Sequence, residues 1–273
     1  MSVLSPAARA EVAASRAVIF GALDDVHDLL LGASGGVDAT SKSDGTPVTA
    51  IDHAVDERLA AAIHHALPDH GILSEERDTV TPDTDWTWII DPIDGTSNFI
   101  AGLPWWCVSA ALAFQGVPVL GVIDAPALGR RYVAIQGEGA HREARPLRVR
   151  PTVDWRSSRY RHLPVMLTTG TARRARAAGL RLNPRVMGST ALDLAIVAEG
   201  VAVASVAIAP HVWDVAAGMV LVQEAGGEVV TPAGAPWLPI EPGTDHQKVA
   251  TPTAAAADGD YAERLVDALL AQT

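Results

Sequence analysis

At 273 residues the chain is long enough for one large domain or two packed halves, and with 48% hydrophobic and 19% charged residues its composition excludes a disordered chain. The formal charge of −11, from 32 acidic and 21 basic residues, argues against nucleic acid as the main partner. The single cysteine, Cys107, excludes an intrachain disulfide and suits a reducing cytosol.

Ser5 and Pro6 open a predicted helix that runs to about Leu31, and GASGG at 32–36 ends it. This start has neither the basic residues nor the compact apolar run of a signal peptide. No uninterrupted apolar stretch reaches the ~18 residues of a membrane span. SKSDGTPVT is turn chemistry between short strands. Asp52 begins a second helix, with Val55, Leu59, Ala62, Ile63 and Ala66 at helical spacing and Pro68 as its stop. Short strands are expected at 71–74 and 86–90, the first ending at Glu75-Glu76 and the second at Asp91. Strands at 107–114, 117–125 and 131–135 follow, the first two separated by a Gly116-Val117-Pro118 turn and paired antiparallel.

The tone changes near Arg150, where a soft boundary divides residues 1–150 from 151–273. The second half alternates: strand 165–168, an Arg-rich helix 172–179, helix 189–199, strand 201–208, helix 214–225 and strand 228–231. A further strand at 249–251 and a last helix at 260–271 complete an α/β layer. Only two lysines occur, Lys42 and Lys248, against many arginines and alanines, a bias that suits a GC-rich bacterial genome.

The chemistry concentrates at WTWIIDPIDGTSNF, residues 86–99. Pro92 cannot donate to a strand ladder, so the strand is expected to stop. Gly95 permits a tight turn that returns Asp94 towards Asp91. Two carboxylates so close repel each other in a low-dielectric cleft, and a divalent cation relieves that repulsion. Oxygen ligands favour Mg²⁺, Mn²⁺ or Ca²⁺ over zinc. Taken singly, Glu75-Glu76 reads as an exposed pair and Asp214 as a helix N-cap. His211 reads as packing against Trp213, and the arginines at 156, 159, 161, 173, 174, 176, 181 and 185 read as a solvated surface or as contacts to a second anion or a partner subunit.

Taken together, LSEE, DPIDGTSNF and WDVAAGMVLVQEAGG resemble the inositol monophosphatase family, in the family's order and over most of the chain. The resemblance implies an αβαβα layered fold and a Mg²⁺-dependent phosphomonoesterase with two or three ions, of a type often sensitive to lithium. It implies that Glu75, Asp91 and the Ile93 carbonyl hold one ion and that Asp91, Asp94 and Asp214 hold another. Glu76 would support the site. Thr96 and Asp52 would orient and deprotonate the attacking water, helped by Glu75, and Gly95, Thr96 and Lys42 would bind phosphate. Gly188, Ser189, Thr190 and Asp94 resemble the segment that touches the alcohol part of the substrate. Ala207 stands where many relatives carry a glutamate, so a polyol hydroxyl would lose its partner there.

The resemblance also implies a cytoplasmic homodimer acting on a small phosphorylated metabolite. An inositol-1-phosphate-like cyclitol, polyol or sugar phosphate leads. Histidinol phosphate, a nucleotide 3'(2'),5'-bisphosphate and the substrate of a specialised biosynthetic pathway stand as alternatives. The alternative of another class is a metal-binding regulatory protein that lost catalysis.

Overall fold

The computed structural model describes residues 4–41, 47–151, 162–232 and 238–271. Helix α1 (Pro6–Ala33) starts as the sequence predicts: the Ser5 hydroxyl accepts the Ala8 amide, and Pro6 occupies a first-turn position that needs no amide. A short antiparallel ladder of β1 (Ala39–Ser41) and β2 (Pro47–Thr49) leads into α2 (Ala50–Ala66). Here the sequence reading is corrected, because Asp52 is the third residue of α2 and not its start. Thr49 is the cap, and the Asp52 carboxylate accepts the Thr49 amide at 2.8 Å in a reciprocal capping box.

Seven strands follow in spatial order: β3 (Gly71–Ser74), β4 (Trp86–Asp94), β5 (Cys107–Phe114), β6 (Val117–Ala125), β7 (Arg130–Ile135), β8 (Gly139–Arg142) and β9 (Arg145–Pro146). Only β3 and β4 run parallel. The β5–β6 turn is Gln115-Gly116, and Val117 already belongs to the ladder opposite Phe114. Strand alternation sends successive side chains to opposite faces. Trp88 and Ile90 therefore join the core under α1 and α2, while Ile89 joins a second core on the other face.

That second core is filled by α5 (Thr190–Ala198) and α6 (Val212–Glu224), both apolar nearly all round and so buried between two sheets. The second sheet has the order β11-β10-β12-β14-β13. Its strands are β10 (Pro164–Leu167), β11 (Asn183–Arg185), β12 (Ala204–Ala207), β13 (Glu228–Val230) and β14 (Thr253–Ala256). Met166 and Ala255 face α5 and α6, whereas Val165, Leu167 and Ala254 face α7 (Gly259–Leu270), with α4 (Thr169–Ala177) on the same outer side. The layers are thus αβαβα. The expected strand at 249–251 lies instead at Thr253–Ala256: the alanine run is an interior strand whose small side chains fit beneath helices on both faces. Strand β12 starts at Ala204 because Gly200 and exposed Val201 form the turn that leaves α5. No helix among the described residues is long and apolar enough to cross a membrane.

Helix α6 lies directly on the first sheet. A Cβ at Gly121 of β6 would collide with the Ala217 carbonyl oxygen of α6. Gly121→Ala is expected to cost about 3 kcal/mol through overpacking, read as a lower urea midpoint. A change within about 0.5 kcal/mol, the range of ordinary surface substitutions, would show that the layers have room to part.

Candidate active site

Strand β4 does not stop at Ile90. It continues to Asp94 through a bulge, because Asp91 sits opposite Ser109 and Asp94 opposite Cys107. The bulge absorbs Pro92, which has no amide to donate. Asp91 is 2% exposed, and its Oδ1 accepts the Ile93 amide at 3.0 Å. Gly95 follows with φ +95°, where a Cβ would lie 3.0 Å from the Trp105 carbonyl and 3.1 Å from that of Gly188. Only glycine fits that turn into α3 (Thr96–Ala101).

Two further acids converge on Asp91. Glu75 leaves the end of β3, its amide bonded to the Ile90 carbonyl at 3.2 Å. Asp214 is the third residue of α6, and its Oδ2 accepts the His211 amide at 2.8 Å. The N-cap position therefore belongs to His211, which corrects the expected start of this helix. Ligand oxygens of Glu75, Asp91 and Asp214 lie within 4.8 Å of one another. Three carboxylates so gathered, one of them buried, fit a divalent cation.

Asp94 is turned elsewhere. Its Oδ2 accepts the Ser189 hydroxyl at 2.6 Å and the Ala191 amide at 2.7 Å, and its Oδ1 accepts the Thr190 amide at 3.3 Å. It thereby ties the strand end to the start of α5. The Thr96 hydroxyl lies 3.0 Å from the Ile93 carbonyl and 3.5 Å from Asp52 Oδ1, while Asp52 Oδ2 holds Thr49. Glu76 Oε2 stands 4.0 Å from His53 Nδ1.

The electrostatics reflect this crowding. Burial first, and then the charges of Glu75, Asp94, Asp214 and Asp52, push the Asp91 carboxyl well above the usual range. Burial lifts Asp94 to about 6 against the opposing bonds from Ser189, Ala191 and Thr190. Burial also raises Asp52, against its bonds from Thr49. Cys107 is fully buried beside Asp94, and burial pushes its thiol up, so it is an inert packing group.

A cavity of about 330 Å³ opens over these groups. It is lined by Glu75, Asp91, Ile93, Asp94, Gly95 and Thr96, and also by Gly188, His211, Asp214 and Gln247. No arginine or lysine lines it among the described residues. His211 stacks on Trp213 at 4.9 Å, as expected. Its Nδ1 faces the carbonyls of His246 and Val249 at 3.0 and 3.1 Å, so Nδ1 carries a proton and donates to them.

Ala207 does not line the cavity. It is buried in β12 opposite Thr253, and Ala209 of the following loop reaches the cavity instead. Lys42, Arg156, Arg159 and Arg161 lie outside the described residues. Arg173, Arg176, Arg181 and Arg185 are exposed, Arg174 is half-buried, and none lines the cavity.

Two residues near the site escape a reading of sequence. Gln247 gives no local signal, since only the fold brings it to the cavity. Asp193 is a lone acid in the apolar run TALDLAIVA, and that was the available signal. It is buried on α5 with no hydrogen-bond partner for Oδ1, and burial, then the Asp94 charge, push its carboxyl well above the usual range.

The model of the inositol monophosphatase family matches residues 4–270. The chain is 38% identical over 202 residues to a histidinol-phosphatase of Mycobacterium tuberculosis, covering 70% of this chain and 76% of that protein. It is 36% identical over 207 residues to the Nus factor SuhB of Pasteurella multocida, covering 70% and 73%. Its fold is similar to the solved structure of a Thermotoga maritima IMPase, with a TM-score of 0.78 and 28% identity over 94% of this chain and 97% of that one.

Proposed function

Starting from the chain's membership of the inositol monophosphatase family, which makes it a phosphoric monoester hydrolase, we propose that it releases phosphate from a small phosphorylated polyol, cyclitol, sugar or amino alcohol in the presence of Mg²⁺. The observation that carries this reading is the meeting of Glu75, Asp91 and Asp214 beside the Thr96–Asp52 pair. A carboxylate cluster suited to divalent ions and a hydroxyl–carboxylate pair suited to taking a water's proton are together what metal-assisted hydrolysis of a phosphate monoester uses.

In this reading Glu75, Asp91 and the Ile93 carbonyl hold one ion, and Asp91, Asp94 and Asp214 a second, with Glu76 as support. Asp94 Oδ1 is the freer of its two oxygens, because Oδ2 already accepts two short bonds. Bound ions neutralise phosphate charge and acidify a water. The Thr96 hydroxyl orients the attacking water and passes its proton towards Asp52 Oδ1. The amides of Gly95 and Thr96, with Lys42, receive the phosphate oxygens. Gly188 borders the alcohol, whereas Ser189 and Thr190, which do not line the cavity, hold Asp94 from behind it. The two halves, 1–150 and 151–273, act as one unit, since Asp214 comes from the second and the other acids from the first. As the resemblance implies, the enzyme works as a cytoplasmic homodimer.

The test is phosphate release from a panel of myo-inositol 1-phosphate, histidinol phosphate, glycerol 2-phosphate, p-nitrophenyl phosphate and adenosine 3',5'-bisphosphate. At least one compound is expected to be hydrolysed with Mg²⁺, with activity lost in EDTA and restored by added Mg²⁺. No release from any compound would overturn the reading in favour of a protein that kept the acidic cluster without catalysis.

A further inference from the structure

Residues 243–249 form a strap between two parts of the site. On one side it is zipped onto the segment that follows Glu75. The Gly243 amide meets the Thr81 carbonyl at 2.9 Å, the Thr81 amide meets the Thr244 carbonyl at 2.9 Å, and the His246 amide meets the Thr79 carbonyl at 2.8 Å. Side chains add to this: Thr79 Oγ1 to Asp245 Oδ1 at 3.0 Å, and Thr81 Oγ1 to His246 Nε2 at 2.9 Å. On the other side the carbonyls of His246 and Val249 hold the His211 ring. Within the strap, a 3-10 turn (His246–Lys248) is capped by Asp245, which accepts the Gln247 amide at 3.2 Å and pairs with Lys248 at 2.8 Å.

This turn buries His246 and leaves Gln247 exposed at the cavity. Resting on the phosphatase reading above, we propose that Gln247 is a specificity-determining residue that reads a hydroxyl on the alcohol part of a polyhydroxy phosphate. A carboxamide offers both a donor and an acceptor, which is what a hydroxyl needs. The strap fixes the backbone on both sides, so Gln247 is presented from a rigid support. A second anionic group on the substrate would meet carboxylates here and no arginine or lysine among the described lining residues. The described lining therefore favours a leaving alcohol that carries hydroxyl groups over one that carries a second phosphate.

The experiment compares kcat/KM for myo-inositol 1-phosphate and glycerol 2-phosphate with kcat/KM for p-nitrophenyl phosphate, whose leaving group has no further hydroxyl. Wild type is compared with Gln247→Met, which keeps length and loses the amide, and with Gln247→Ala. Both variants are expected to lower the polyol-to-nitrophenyl ratio fivefold to tenfold, roughly the worth of one hydrogen bond. A ratio held within twofold, including an equal fall for all substrates, would overturn the role of Gln247. Wild type that hydrolyses p-nitrophenyl phosphate but neither polyol phosphate, or that prefers adenosine 3',5'-bisphosphate, would overturn the substrate class. No hydrolysis at all would overturn the phosphatase reading itself.

Discussion

Asp91→Asn is expected to lower kcat roughly a thousandfold or more, about 4 kcal/mol of transition-state stabilisation. Asp91 is the buried member of the carboxylate group and the one residue assigned to both proposed ions. Asparagine keeps the Oδ1 that accepts the Ile93 amide, so the bulge is retained while the charge is lost. Stability gives an independent check. The Asp91 carboxyl is raised in the folded protein by burial first and then by its neighbouring acids. A carboxyl raised on folding favours the folded state at low pH, and that contribution is lost as pH climbs from the ordinary carboxylate range through the raised value. Without divalent ions, the variant should therefore melt above wild type at pH 7.5, with the gap closing towards pH 4. Saturating Mg²⁺ should reverse that order by stabilising wild type alone. Near-normal phosphate release by Asp91→Asn at saturating Mg²⁺ would remove the carboxylate group from the mechanism.

Asp52→Asn and Thr96→Val are each expected to lower kcat by about 10²–10³-fold, the usual scale for a proton acceptor or its relay, with smaller changes in KM. The Thr96 hydroxyl stands between the Ile93 carbonyl and Asp52 Oδ1, so the pair acts as a unit. The double variant should then lose little more than either single one. Thr96→Ser, which restores a hydroxyl, should recover much of the rate. Asp52→Asn also loosens the Thr49 capping box, worth about 1 kcal/mol, and a denaturation curve separates that loss from the kinetic one. Additive effects in the double variant would mean that the two residues act separately.

The layers and most of the acids were legible in the sequence because their signals are local. Apolar periodicity marked the helices, and DPIDGTSNF marked a strand end crowded with charge. What was misplaced shows where local signals fail. Asp52 and Asp214 looked like helix starts, but each is a third residue whose carboxylate reaches back to the cap amide, a geometry that one letter does not reveal. The strand expected at 249–251 was misplaced because the true one, Thr253–Ala256, is an interior strand squeezed between helix layers, which needs small side chains more than an alternating pattern. Pro92 looked like a stop, yet a bulge let the strand pass it. Counting back from Asp214 pointed to Ala207, but β12 turns that residue into the sheet. Gln247 had no signal at all, since its place depends on hydrogen bonds to residues 79–81, far away in the chain.

The bare patch at Gly121 has a consequence for the site. Ala217 rests there, and Asp214 lies three residues earlier on the same helix, close to one turn away. With the Ala217 carbonyl seated in a notch of β6, α6 cannot slide along the sheet without driving backbone into backbone. The notch acts as a mechanical stop that sets the reach of Asp214 towards Asp91, so a residue with no side chain fixes the position of one that carries charge.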